Sequence, residues 1–543
     1  MSSHSAQALL HIEQLGLCIH GQALIHELSL SIAPGEILGL VGESGSGKSL
    51  TALSILGLLP RGAHTSGRIL LDGVDLLRQS DAALNAIRGR DIGMVFQEPM
   101  TALNPLMSIG QQISEVLQLH RPRSARATRA HAQELLERVG LPAAEFGLER
   151  YPHQLSGGQR QRVAIAMAIA LHPKLLIADE PTTALDVTTQ AQILALLQRL
   201  AREEGCALLL VTHDLAVVAE LADRVAVLRR GHLVEQGATQ RVLTRPEHDD
   251  TARLLEHSLI QRLPHGRAVQ HGTPLLEVRQ LVREYRRGGG LFKRASVLRA
   301  VDQVSLTVQP GETVGLVGES GCGKSTLLRA VLGLDRIQGG EILLQGQAFD
   351  GRSTTQRRIV QIVFQDPYGS FDPRWKVWQL VAEPLHLLAE PPSPAQARER
   401  VATLLEKVGL KAADADRYPH QFSGGQRQRI AIARALITEP ALVVLDEAVS
   451  ALDVSIRAQI LALLAALSRE LGVAYLFVSH DMSVVRAITD RVYVMAKGRI
   501  IESGATQALF DAPREAYTAS LIAATPDLER ALGGGDEARR RDR

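Results

Sequence analysis

At 543 residues the chain is too long for one ordinary hydrophobic core, so two or more domains are expected. A hydrophobic fraction of 45% against 22% charged residues excludes wholesale disorder. The 60 Lys and Arg against 58 Asp and Glu leave a formal charge of +2, which gives no reason to expect nucleic acid to be held by bulk charge.

Three cysteines, Cys18, Cys206 and Cys322, show no paired spacing, cannot build a four-cysteine metal site and fit a reduced compartment. The first residues lack a basic region followed by an apolar core, so no secretory signal is expected. The longest apolar run, 163–171, falls far short of the ~18 residues a membrane span needs. A soluble chain that can sit against a membrane protein is the expectation.

In chain order, Ile37–Val41 is a short apolar run entering GESGSGKS at 42–49, the strand–turn–helix context of a phosphate-binding loop. Gly42, Ser44, Gly45 and Gly47 let successive backbone N–H groups turn inward on phosphate oxygens, aided by the positive end of the following helix. Lys48 would reach the β- and γ-phosphates and the Ser49 hydroxyl would hold Mg²⁺. IGMVFQEP at 92–99 then carries Gln97. The stretch from there to residue 156 reads as helical: Ile109, Ile113, Val116 and Leu117 share one face, and Leu135, Leu136 and Val139 another. The basic stretch at 121–131 reads as solvated surface.

YPHQLSGGQRQR follows at 151–162. Ser156 and Gln159 fit a capping box, which would make this simply a well-capped helix. Yet Gly157 and Gly158 each cost a helix up to ~1 kcal/mol relative to alanine. Glycine in a first turn makes sense where a phosphate must approach the exposed N–H groups. LLIADEP at 175–181 ends a strand in Asp179, placed for a Mg²⁺-bound water, and Glu180, placed to orient or deprotonate an attacking water. LLLVTHD at 208–214 sets His213 beyond a strand end, as a γ-phosphate sensor or, more plainly, a buried hydrogen-bonding histidine.

The whole series then returns. GESGCGKS at 318–325 supplies Gly318, Ser320, Gly321, Gly323, Lys324 and Ser325, with Thr326 next. VQIVFQDP carries Gln365, YPHQFSGGQRQR carries Ser423, Gly424, Gly425 and Gln426, LVVLDEA carries Asp446 and Glu447, and YLFVSHD carries His480. The offset is 276 at the first motif, 268 at Gln97/Gln365 and 267 afterwards. The chain is therefore an internal duplication. Each half already has one phosphate cradle, so a second anion-binding helix start per half is expected to serve the other half. The divisions are a first domain over 1–245, a connection over 246–274 rich in His, Pro and Gly, a second domain over 275–512, an extension over 513–532 and an unstructured tail over 533–543.

Phosphate loop, SGGQ, Asp-Glu and a late His in this order resemble the ATP-binding cassette family over essentially the whole chain. The resemblance implies two tandem ATPase domains of α/β class, each a RecA-like core with an antiparallel β subdomain and a helical subdomain. It implies a pseudo-dimer within one chain, binding ATP and Mg²⁺, in which Ser156–Gln159 complete the site of Lys324 and Ser423–Gln426 that of Lys48. It further implies that Gln97 and Gln365 touch nucleotide and metal and link them to a membrane partner. Ser49, Asp179, Ser325 and Asp446 hold Mg²⁺ on the same grounds, and Asp186 and Asp453 lie in loops crossing between the halves. GESGSGKS, FQEPMTALNP, FQDPYGSFDP and ALDV look like the two ATPases of dipeptide, oligopeptide and glutathione importers, here fused, and 513–526 resembles the segment that follows the cassette in that group. Two transmembrane permease subunits, a substrate-binding protein acting through them, and a peripheral place on the cytoplasmic face of the cytoplasmic membrane follow from that likeness. The family's adenine-stacking aromatic matches Tyr285, but the first half has Ile19 beside His20, a loss expected to weaken binding there by ~0.5–1.5 kcal/mol. Cys322 occupies a variable loop position as a spacer. A nickel or other small-solute importer, or a twin-cassette protein acting on ribosomes or DNA, is the alternative; the short connection and the missing zinc cysteines argue against the latter.

Overall fold

The computed structural model describes residues 8–97, 102–120, 124–183, 185–259, 262–263, 272–287, 296–349, 351–450 and 452–533. The expected tail, apart from residue 533, lies outside them, as do 121–123 of the basic stretch and 264–271 of the connection.

Each half is built on the same two sheets. In the first, Gln22–Ile32, Leu10–Ile19, Ala63–Leu71 and Val74–Asp75 form an antiparallel sheet in that order. A six-stranded sheet runs His232–Ala238, Arg224–Arg229, Ile37–Val41, Ala207–Thr212, Leu175–Asp179, Ile92–Val95, parallel except for the first edge pair. Ile37–Val41 and Leu175–Asp179 are buried at every position, because both faces of a parallel sheet are covered. The second half repeats the strand order from Val360–Val363 to Arg499–Ala505.

The helical insertion forms as its periodicity requires. Ile109, Ile113, Leu117, Leu135, Leu136 and Val139 join Val163 and Ile165 of the helix Gly157–Ala168 in one buried cluster, with Val116 packed at its edge. In the second half the first insertion helix is cut to Val377–Ala382, where Pro384 allows only a 3-10 turn to follow.

Residues 249–258, read as part of the connection, form the helix Asp249–Ser258, whose Leu254 and Leu255 are buried with Val41, Leu215 and Leu243 of the first half. Asp249 and Asp250 stabilise its positive end, and the Glu235 carboxylate accepts from the Glu247 and His248 N–H groups just before it. The helix Ala516–Ala524, read as an extension, is its repeat: Glu502 accepts from the Arg514 and Glu515 N–H groups in the same way. The chain then doubles back, burying Leu528 in the first half's cluster, with Arg530 3.7 Å from Glu220.

Candidate active site

Two glycines in each phosphate-loop sequence are fixed by space and backbone. A Cβ on Gly42 would lie 2.1 Å from the Leu228 carbonyl oxygen, and one on Gly318 2.1 Å from that of Met495. Gly47 and Gly323, at φ 101° and 114°, start the helices Lys48–Leu56 and Lys324–Val331 from the left-handed region that L side chains avoid. Ser44, Gly45, Ser320 and Gly321 are exposed at the loop crests, and Thr326 is half-buried in its helix. Lys48 Nζ donates to the carbonyls of Gly42 and Glu43 at 2.7 and 2.9 Å, and Lys324 Nζ to those of Gly318 and Glu319 at 2.6 and 2.9 Å. Burial pulls Lys48 below the ordinary lysine range, against the pull of Glu180, Asp179, Asp453 and Glu43. Cys322 is buried, which raises its thiol pKa and suits a spacer rather than a reactive group.

The sheet carries the carboxylates to the loop. Ser49 Oγ donates to Asp179 Oδ1 at 3.0 Å. Burial pushes Asp179 up to about 6, partly opposed by that hydrogen bond; burial and then Glu447 take Asp446 to about 6 as well. A hydroxyl beside a carboxylate is an oxygen-only donor pair of the kind Mg²⁺ takes, so these residues fit the ion.

Glu180 and Glu447 leave their strands at φ 45° and 47°, conformations that non-glycine residues keep only where the surroundings enforce them. The Glu180 N–H donates to Val211 and that of Glu447 to Val478, and each side chain is held between a glutamine and a histidine. Gln97 Nε2 donates to Glu180 Oε2 at 2.8 Å, Thr183 Oγ1 to the same oxygen at 3.0 Å, and His213 Nδ1 lies 3.2 Å from Oε1. Gln365 Nε2 donates to Glu447 Oε2 at 2.7 Å, with His480 Nδ1 3.2 Å from Oε1. Burial pushes both glutamates up, but hydrogen bonds and the histidines more than offset it, leaving each below the usual glutamate range. The glutamines expected on nucleotide and metal are thus held on the glutamates.

The SGGQ helices have the expected capping boxes. Ser156 accepts from Gln159 N–H while Gln159 accepts from Ser156 N–H, and Ser423 and Gln426 do the same. The two glycines serve different ends. A Cβ on Gly158 would lie 2.2 Å from Thr189 Cγ2, and one on Gly425 2.4 Å from Ile456 Cγ2. These second glycines let each SGGQ helix press against the first turn of a long helix, Val187–Glu204 or Val454–Leu471. The first glycines meet no such crowding: Gly424 has nothing within 4 Å, and Gly157 only an ordinary contact. They are exposed, as are Ser156 and Ser423, leaving the helix N–H groups open to an anion.

Those first turns reach the opposite half. Thr188 Oγ1 lies 2.8 Å from Glu319 Oε1 in the second phosphate loop, and Ser455 Oγ donates to Glu43 Oε1 in the first at 2.9 Å. Asp186 and Asp453 cap the same two helices at Thr189 and Ile456. Each SGGQ helix thus packs on a long helix whose first turn touches the other half's phosphate loop. A cavity of about 610 Å³ lies between the halves, lined by Glu180, His213 and His480 among others. Thr183, Thr188, Ser455, Glu43 and Glu319 escaped the sequence reading; the only signal for them was that GESG and ALDV each occur twice.

The aromatic position is unequal. Counting from Leu10 and Leu276, which pair with Leu71 and Leu344, Ile19 occupies the strand position of Tyr285. Tyr285 donates its hydroxyl to Asp335 at 3.1 Å, and the Arg283 guanidinium covers one ring face at 4.4 Å.

The family model described as ABC transporter matches residues 25–183 and 301–450. The glutathione import ATP-binding protein GsiA of Salmonella paratyphi A is 46% identical over 558 residues, covering 95% of this chain and 89% of that protein. GsiA of Shigella sonnei is 47% identical over 543 residues, covering 93% and 87%. A solved dimeric ATP-binding cassette in a post-hydrolysis state with ADP and phosphate is 29% identical, with a TM-score of 0.39, covering 42% of this chain and 98% of that one.

Proposed function

Because the chain belongs to the ABC transporter family, whose model matches both of its halves, we propose that it is the ATP-hydrolysing subunit of an importer for glutathione or a related small peptide. The observation that supports the reading of two shared ATP sites is the pair of crossing contacts, Ser455 to Glu43 and Thr188 to Glu319, made by the helices on which the SGGQ helices pack. The cargo reading is supported by the identity to the glutathione import proteins along nearly the whole chain.

Each of two composite sites holds one ATP. Lys48 leaves its carbonyl partners for the β- and γ-phosphates, and the open N–H groups at Ser423 and Gly424 meet the γ-phosphate from the other side; Lys324 and Ser156–Gly157 act likewise. Ser49 and Asp179, or Ser325 and Asp446, with Gln97 or Gln365 beside them, would hold Mg²⁺, which would supply charge neutralisation to the phosphates. Glu180, kept ionised by His213, accepts a proton from the water that attacks the γ-phosphorus, as the bond to the ADP oxygen breaks. Glu447 and His480 repeat the arrangement.

Among the described residues no helix is long and apolar enough to cross a membrane. Two permease subunits would dock on the helical insertions, where Leu106 and Leu119 in one half and Tyr368 and Trp375 in the other stand exposed. That puts the chain at the cytoplasmic face, with a substrate-binding protein acting through the permeases. Affinity purification from detergent-solubilised membranes tests this: two multi-span proteins in equal amounts are expected. Ribosomal proteins or nucleic acid in their place would overturn the transport reading.

A further inference from the structure

The two crossing contacts are not equivalent, and the difference rests on counting hydrogens. Ser455 is 5% exposed and has one hydroxyl hydrogen, which goes to Glu43 Oε1. His257 Nδ1 lies 2.9 Å from the same hydroxyl oxygen, so the imidazole must be the donor there. Both His257 and Glu43 belong to the first half, so a second-half serine is gripped from two sides by the first. A hydroxyl that accepts one bond while donating another is polarised toward its acceptor. At the other contact, Thr188 Oγ1 has Glu319 Oε1 and Asp186 Oδ1 both at 2.8 Å, and its single hydrogen serves only one at a time. The residue 267 positions after His257 is Ala524, which has nothing to donate.

The carbonyl of Glu43 is one of the two that hold Lys48, as the carbonyl of Glu319 is for Lys324. The carboxylate that reaches across and the carbonyl that sets the lysine thus belong to one residue. We propose that Glu43 is a positioning residue that fixes its phosphate loop only when the opposite half is in place, and that the His257–Ser455–Glu43 chain makes the latch at the Lys48 site the stronger, whereas the Glu319 loop is also tied within its own half, the Glu319 N–H donating to the Tyr517 hydroxyl at 3.0 Å. The Lys48 site is the one where Ile19 replaces an aromatic, so ATP affinity there depends on the latch rather than on a stacked ring. The proposal rests on the ATP-site reading.

The test measures Mg²⁺-ATP dissociation constants on the full chain carrying E180Q and E447Q, with K324A or K48A added to isolate each site. S455A is expected to weaken the Lys48 site about tenfold, in keeping with a lost hydrogen bond to a charged group. S455T should restore it, and H257N, which keeps a donor near Nδ1, should weaken it less than H257A. T188V should weaken the Lys324 site only about threefold. Glu43 is exposed, so E43A cuts the same bond without disturbing the core. If the bond is the cause, E43A combined with S455A is no weaker than the worse single change. Wild-type affinity in both S455A and E43A, equal losses for S455A and T188V at their own sites, or no rescue by S455T would overturn the latch. Absence of ATP binding to the otherwise unaltered chain would instead overturn the site reading itself.

Discussion

Glu180 and Glu447 are held by strand geometry in a left-handed conformation, and that geometry aims the side chain between a glutamine and a histidine. Replacing both by glutamine keeps the size while removing the base, so steady-state ATP turnover should fall by about 10²–10⁴-fold with ATP binding retained. Asp179 and Asp446 titrate near 6, and Mg²⁺ needs them ionised. A raised carboxylate pKa means the proton is kept to higher pH, so ion binding is intact well above 6 and is lost as pH falls through it. Titrating Mg²⁺ against bound nucleotide from pH 8 to 5 should show apparent affinity falling by about tenfold per unit below 6. At this scale the phosphate-loop, Gln, Asp-Glu and His motifs were legible because each sits at the end of a strand whose apolar run announces it. Thr183 and Glu43 were not, because nothing in their own neighbourhood says that one turns back on Glu180 and the other reaches a serine more than 400 positions along.

The SGGQ helix separates two uses of glycine that look identical in sequence. Gly158→Ala forces a methyl group into Thr189 and should destabilise the first half by about 1–3 kcal/mol in denaturant titration. Gly157→Ala meets only an ordinary contact with Leu185 and should leave the unfolding midpoint nearly unchanged. The insertion helices were legible for the usual reason, apolar residues three and four apart. Asp249–Ser258 was not, because Pro246 and His248 mask its start and its buried face is only partly its own. Leu254 and Leu255 are finished off by Leu528, from the far end of the described chain. Leu528→Ala should therefore lower the first half's stability by about 2–4 kcal/mol, although the residue belongs by sequence to the second.

At the scale of the molecule the duplication explains most of what is seen: among the described residues four sheets in two matched pairs, and the Lys, Gln, SGGQ, Asp-Glu and His of one half repeated in the other. The exceptions give the halves separate characters, with Ile19 against Tyr285 and His257 against Ala524. The central claim is that each ATP site takes its phosphate loop from one half and its SGGQ helix from the other. It is tested by counting Mg²⁺-ATP bound per chain in the E180Q, E447Q background after pairing Lys48→Ala with an aspartate at either open glycine, where the added carboxylate repels phosphate without crowding the fold. Lys48→Ala with Gly424→Asp damages one composite site twice and should leave one ATP bound; Lys48→Ala with Gly157→Asp damages both and should leave none. The reverse pattern, one ATP with Gly157→Asp and none with Gly424→Asp, would mean that each half completes its own site and would contradict the account.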